Sequence, residues 1–161
     1  MNSTLYQLLL ALHIVAVALW LGANLAMGLG SGRAVGASAE VNSWWADVQG
    51  LMGKTLKNVA FILLLLTGIG MIFAAKVNGE FTIKFSAPFV SVGFLVVIVG
   101  GALGGMVFGP GCRKISESFR NGDEATGKAT IDKLGMFGAV ESLIVVVTIL
   151  FMVFKWGGLG G

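Results

Sequence analysis

Residues 5–29 read LYQLLLALHIVAVALWLGANLAMGL. They contain no Lys, Arg, Asp or Glu, and the first such residue in the chain is Arg33. A helix needs about 20 apolar residues to cross the hydrocarbon core of a bilayer, and lipid leaves the backbone no other way to satisfy itself within one segment. This stretch is therefore predicted to be a transmembrane helix, retained rather than cleaved as a signal peptide. Set on a helix, Trp20, Asn24 and Met27 fall within about 40° of His13. An indole, an amide, a thioether and the chain's single imidazole thus form one column. A second column, on roughly the opposite side, reads Ala18, Gly22, Ala26, Gly30. Small residues four apart allow close approach of another helix.

The rest of the chain repeats this pattern. Of 161 residues, 56% are hydrophobic and 12% charged, against about 25% charged in an average soluble domain. The mean hydropathy is +0.89. Further apolar spans are predicted at about 56–75, 85–108 and 133–155. Pro88 suits the first turn of the third span, Gly109-Pro110-Gly111 should end it, and Asp123 should cap the helix after Asn121-Gly122. Asn78-Gly79 reads as a turn, and the terminal GGLGG as a mobile tail. The expected fold is all-α, one domain, an integral-membrane four-helix bundle.

Between the first and second spans, Val41, Trp44, Trp45, Val48, Leu51 and Met52 recur at helical spacing. The segment is read as an interfacial helix, with two alternatives: an early extension of the second span, or a surface for a partner protein.

The net charge of +3 is small and sits in loops, so nucleic acid is excluded as a partner. Lys76, Lys84 and Lys155 fall on one side of the bundle; Arg33, Lys54, Lys57, Arg113, Lys114, Arg120, Lys128 and Lys133 fall on the other. The heavier side should be cytoplasmic, with both termini outside, in a bacterial inner membrane. The expected contacts are the lipid bilayer and other membrane subunits or further copies of the chain. A single Cys excludes an internal disulfide and a Cys-based zinc site, and Cys112 is read as a free thiol. Gly53-Lys54-Thr55 resembles the end of a phosphate loop, but residue 48 is Val, so the match is rejected.

Few residues remain to carry chemistry, so no catalytic residue is assigned. Glu141 is the acid within a span. It is read either as a buried, hydrogen-bonded or protonated acid that fixes helix register or as a proton- or ion-handling group. With each span centred in the membrane, His13 lies about 5 Å to one side of the midplane and Glu141 about 5 Å to the other. The two should not pair, and Trp20 lies nearer the depth of Glu141. Trp20, Asn24 and Glu141 are thus expected to make intramembrane polar contacts. Gly22, Gly100, Gly101, Gly104 and Gly105 are expected to pack helices, the third-span glycines against the Ala18/Gly22/Ala26 stripe. His13 is read as a structural imidazole, as an axial ligand of haem b, or as a copper ligand.

The segment ALHIVAVALWLG, with His13, Trp20, Leu21 and Gly22, resembles the opening helix of the copper-resistance-protein-D-like superfamily of small integral membrane proteins. That group is distantly similar to the J-type protoporphyrinogen oxidases, four-helix proteins that bind haem b. Leu65 to Gly68, Lys84-Phe85 and Phe151 to Lys155 resemble later landmarks of the same family. The resemblance implies a haem or metal role for His13. Together these readings lead to a non-catalytic subunit or assembly component of a membrane redox complex, respiratory or photosynthetic. A haem-b protein for electron transfer or porphyrinogen oxidation, and a copper or metal permease, are the alternatives.

Overall fold

The computed structural model describes residues 3–77 and 80–158. Asn78-Gly79 and the last three residues of the GGLGG tail lie outside that range. The chain forms α1 (Ser3–Ala34), α2 (Ala39–Met52), α3 (Asn58–Ala74), α4 (Pro88–Leu103), α5 (Gly109–Arg120) and α6 (Glu124–Phe154). A two-residue antiparallel pairing of β1 (Lys76–Val77) with β2 (Glu80–Phe81) joins α3 to α4.

Two π turns merge these elements into longer rods. Gly53–Lys57 links α2 to α3, and Gly104–Phe108 links α4 to α5. The result is four helices long and apolar enough to cross a membrane: Thr4–Ala34, Ala39–Ala74, Pro88–Arg120 and Glu124–Phe154. Each contains a stretch of mean hydropathy 2.1 to 2.5, and at most 28% of any such stretch is buried. Ile14, Val15, Leu66, Leu95, Ile98, Leu143 and Phe154 are exposed. Water would penalise so much bare apolar surface; lipid would not.

Three sequence expectations need correction. The Ala39–Met52 segment follows the alternative reading, an early extension of the second span: it is the first half of the second rod rather than a separate interfacial helix. It has partners on two sides. Gln49 donates to Met27 O (3.1 Å) and Ser31 Oγ (2.8 Å), and Trp45 Nε1 donates to Ser31 Oγ (3.3 Å). Ala46 shares a core with Ile115 and Phe119. Gly30 lies under Trp45, where a Cβ would run into the indole; of the two tryptophans only Trp44 is exposed.

Second, Gly109-Pro110-Gly111 does not end the third helix. Pro110 would break an ordinary i→i−4 ladder, but the preceding π turn has already widened it, and Pro110 enters α5 in its first turn. Ile115 and Phe119 are therefore core residues of α5. The fourth helix correspondingly begins at Glu124, and Asp123 caps it by accepting from Thr126 N at 3.1 Å. The Thr126 hydrogen bonds hold the Asp123 carboxyl below its usual range.

Third, α1 packs mainly on α3 and α6 rather than on α4. Ala18, Gly22 and Ala26 are exposed, and a Cβ at Gly22 would meet nothing within 4 Å. The helices form a ring in chain order, so the first and third rods face each other diagonally. Only a large side chain spans that diagonal: Trp20 lies against Gly100, where a Cβ would run into its indole. Gly101 likewise admits Phe61, whose Cε2 would be 2.5 Å from a Cβ there. Gly104 and Gly105 face open space.

These contacts predict unequal costs for one substitution. Gly100→Ala should displace Trp20 and lose about 1–3 kcal/mol, the usual range for overpacking. Gly104→Ala, one turn on, should be neutral or mildly stabilising. Thermal unfolding of both variants in detergent micelles checks the difference.

Candidate functional site

At the centre of the ring lies the carboxylate of Glu141, on α6. Four hydrogen bonds reach it. Lys57 Nζ donates to Oε2 at 2.8 Å and to Oε1 at 3.0 Å. Trp20 Nε1 donates to Oε1 at 3.2 Å, and Asn24 Nδ2 to Oε2 at 3.2 Å. Asn24 Nδ2 also lies 3.4 Å from Ser142 Oγ, which donates to Gly138 O at 2.8 Å. Lys57 is 9% exposed and Glu141 5%.

Each helix supplies one part of this arrangement for a local reason. Trp20 and Asn24 are four residues apart, so α1 presents them one above the other. Lys57 closes the Gly53–Lys57 π turn. Its ammonium lies 4.7 Å from the centre of the Phe108 ring, which closes the second π turn, and 5.9 Å from that of Trp20. The two aromatic faces sit against a cation. Gly100 leaves room for the Trp20 indole; a Cβ there would also lie 3.5 Å from Glu141 Oε1.

Burying two opposite charges costs several kcal/mol per ion unless hydrogen bonds complete the geometry. Here Trp20 and Asn24 do so, and no buried side-chain nitrogen or oxygen among the described residues lacks a partner.

Trp20, Asn24 and Glu141, singled out in the sequence, thus come together. Lys57 was not singled out. It reads as a marker at the start of the second span, whereas the helix continues well beyond it on both sides. A search for a cation complementary to the lone intramembrane acid would have found it.

His13 lies apart from this cluster. Its Nδ1 is 2.8 Å from Thr67 Oγ1 on α3. The Thr67 hydroxyl also lies 2.5 Å from Leu63 O and can donate to it, an arrangement in which His13 Nδ1 would be the donor and Nε2 would carry the lone pair. No hydrogen bond to Nε2 is made among the described residues. Gly68 sits beside the ring, where a Cβ would lie 3.7 Å from His13 Cε1. His13 and Glu141 do not pair, as their difference in depth along the helices predicts. Among the described residues no three His, Cys, Asp or Glu side chains gather to hold a metal ion.

The basic end of the bundle encloses a cavity of ≈ 780 Å³, reached by Trp20, Asn24, Lys57 and Ser142 but not by His13. Comparisons with protein-family models, curated proteins and solved structures find no match to this chain.

The ion pair makes a prediction that separates pairing from packing. Glu141→Gln and Lys57→Met each strand one buried charge or its donors and should cost about 3–5 kcal/mol. The double variant Lys57→Met/Glu141→Leu should lose much less than the sum of the two. A denaturant-unfolding cycle in micelles measures the coupling; additive losses would rule out the pair as a unit.

Proposed function

We propose that the chain is a small multi-pass protein of a bacterial inner membrane that serves as a non-catalytic subunit or assembly component of a larger membrane redox complex. The observation that carries the non-catalytic part is the complete engagement of Glu141: both oxygens are occupied by donors from α1 and the second rod. A carboxylate held in this way fixes helix register. The exposed Ala18/Gly22/Ala26 stripe and the bare apolar faces support contact with lipid and with other membrane helices. The redox assignment rests on the resemblance of the first helix. The positive-inside rule favours the basic end in the cytoplasm and both termini outside.

His13 supports a second reading, haem b. The Thr67 hydroxyl beside Nδ1 suits the tautomer whose Nε2 would be free to ligate, as an outer partner does for a metal-bound histidine. His13 fits as one axial ligand, and the chain has no second His to offer. Haem would supply one-electron chemistry when bound; Thr67 would orient the ring. A copper or metal permease, the third reading, would need a series of ligands along the bundle, and His13 is the imidazole the chain offers to it.

One purification distinguishes these readings. The affinity-tagged chain, extracted in mild detergent, should bring down other membrane subunits in fixed stoichiometry and show no Soret band. Gly22→Leu should weaken that association without changing helix content. A Soret band abolished by His13→Ala would replace the subunit reading with the haem reading. A colourless chain that purifies alone would contradict both.

A further inference from the structure

The bundle is well filled around Trp20 but not at its basic end. The cavity there has a volume of ≈ 780 Å³, within the range of small-molecule sites. Buried Trp20 and Lys57 mark its inner end, and exposed Lys54, Arg113 and Asp132 its mouth.

Glycine has an unusual role along its walls. Gly28, Gly32, Gly53, Gly104, Gly105 and Gly135 all line it, and a Cβ at any of them would meet nothing within 4 Å. These six come from all four rods. Glycine weakens a helix relative to alanine, and here it admits no neighbouring side chain. What these positions keep is space.

The charge at the mouth is also unspent. The ion pairs among the described residues are Lys57–Glu141, Arg120–Asp47 and Lys128–Glu124. Lys54 and Arg113 have no acidic partner among the described residues, and Asp132 offsets one of them, leaving one net positive charge. Beyond the mouth the wall is largely apolar, with Leu25, Phe61, Ile131 and Leu134. Leu25 and Leu29 of α1, and Val35 just beyond it, line the cavity and remain exposed, so the cavity is not sealed.

We propose that this cavity binds an anionic phospholipid, with the phosphate held by Lys54 and Arg113 and one acyl chain lying in the glycine-walled space. A small soluble anion would leave most of the apolar wall uncovered, and a lipid of zero net charge would leave the net positive charge of the mouth unmatched. A basic pocket between transmembrane helices is suited to an anionic headgroup. An unsealed cavity among apolar helices lets the acyl chain enter from the bilayer. The inference rests on the membrane reading but not on the subunit reading, because it concerns only the chain's own lipid.

The test uses the purified full chain in detergent micelles, titrated with phosphatidylglycerol or with phosphatidylcholine of the same acyl chains, and native mass spectrometry to count bound lipid. Phosphatidylglycerol should bind roughly fivefold more tightly, as expected for one net positive charge at a headgroup. Lys54→Ala/Arg113→Ala changes two exposed side chains and should remove the preference. Gly104→Leu and, separately, Gly135→Leu should abolish retention of either lipid while leaving the unfolding temperature within the parent's range. Equal binding of the two lipids, or a preference that survives loss of both cations, would overturn the proposal. Displacement of the lipid by inorganic phosphate alone would overturn the acyl-chain half of it.

Discussion

Everything in this bundle is arranged around one ion pair. Lys57 and Glu141 are charges of opposite sign buried among helices that otherwise expose apolar surface. In a low-dielectric interior neither could stay ionised alone at tolerable cost. Their presence together demands that the second and fourth rods keep a fixed rotation and height. Trp20 and Asn24 extend the demand to the first rod, since the carboxylate is complete only with their donors. The third rod enters through Gly100, whose missing side chain lets the indole cross the diagonal. Four helices that could slide past one another in lipid are thereby given one register.

The two π turns are part of the same device. Each adds a residue to a helical turn and so rotates the helix beyond it. One ends at Lys57, the other at Phe108, and the ammonium rests over that ring. They also explain why two helices outrun the lengths read from hydropathy. The widened turn before Pro110 lets the chain pass a proline without breaking, and the wide turn at Gly53–Lys57 carries polar α2 into apolar α3. At the basic end, α2 and α5 then pair through Ser43 and Ser116 at 3.0 Å and through Arg120, which donates to Ser43 Oγ and to Asp47.

The helical, membrane-capable character of the chain was legible because it depends on long runs of apolar residues, a one-dimensional property. Trp20 near Glu141 was legible because helical rise converts residue number into depth. Asn24 lies on the same face and came with it. The misread parts depend on three dimensions. Gly109-Pro110-Gly111 looks like a stop unless the π turn before it is known. The Ala18/Gly22/Ala26 stripe looks like an interface, yet helix order around the ring turns it outward, and Trp20 meets Gly100 from a different face. Lys57 looks like a flanking charge because hydropathy cannot say that a lysine points inward. Gly104 and Gly105, by composition identical to packing glycines, border a cavity instead.

The central claim is that Glu141 is an ionised carboxylate paired with Lys57 in the interior of the bundle. The most direct measurement is an infrared difference spectrum between the parent chain and Glu141→Gln, both in lipid and at neutral pH. The account predicts loss of carboxylate stretching bands and no loss of a protonated-carboxyl C=O band. A protonated-carboxyl band present in the parent and absent from Glu141→Gln would contradict it, leaving a neutral acid where the structure places an ion pair.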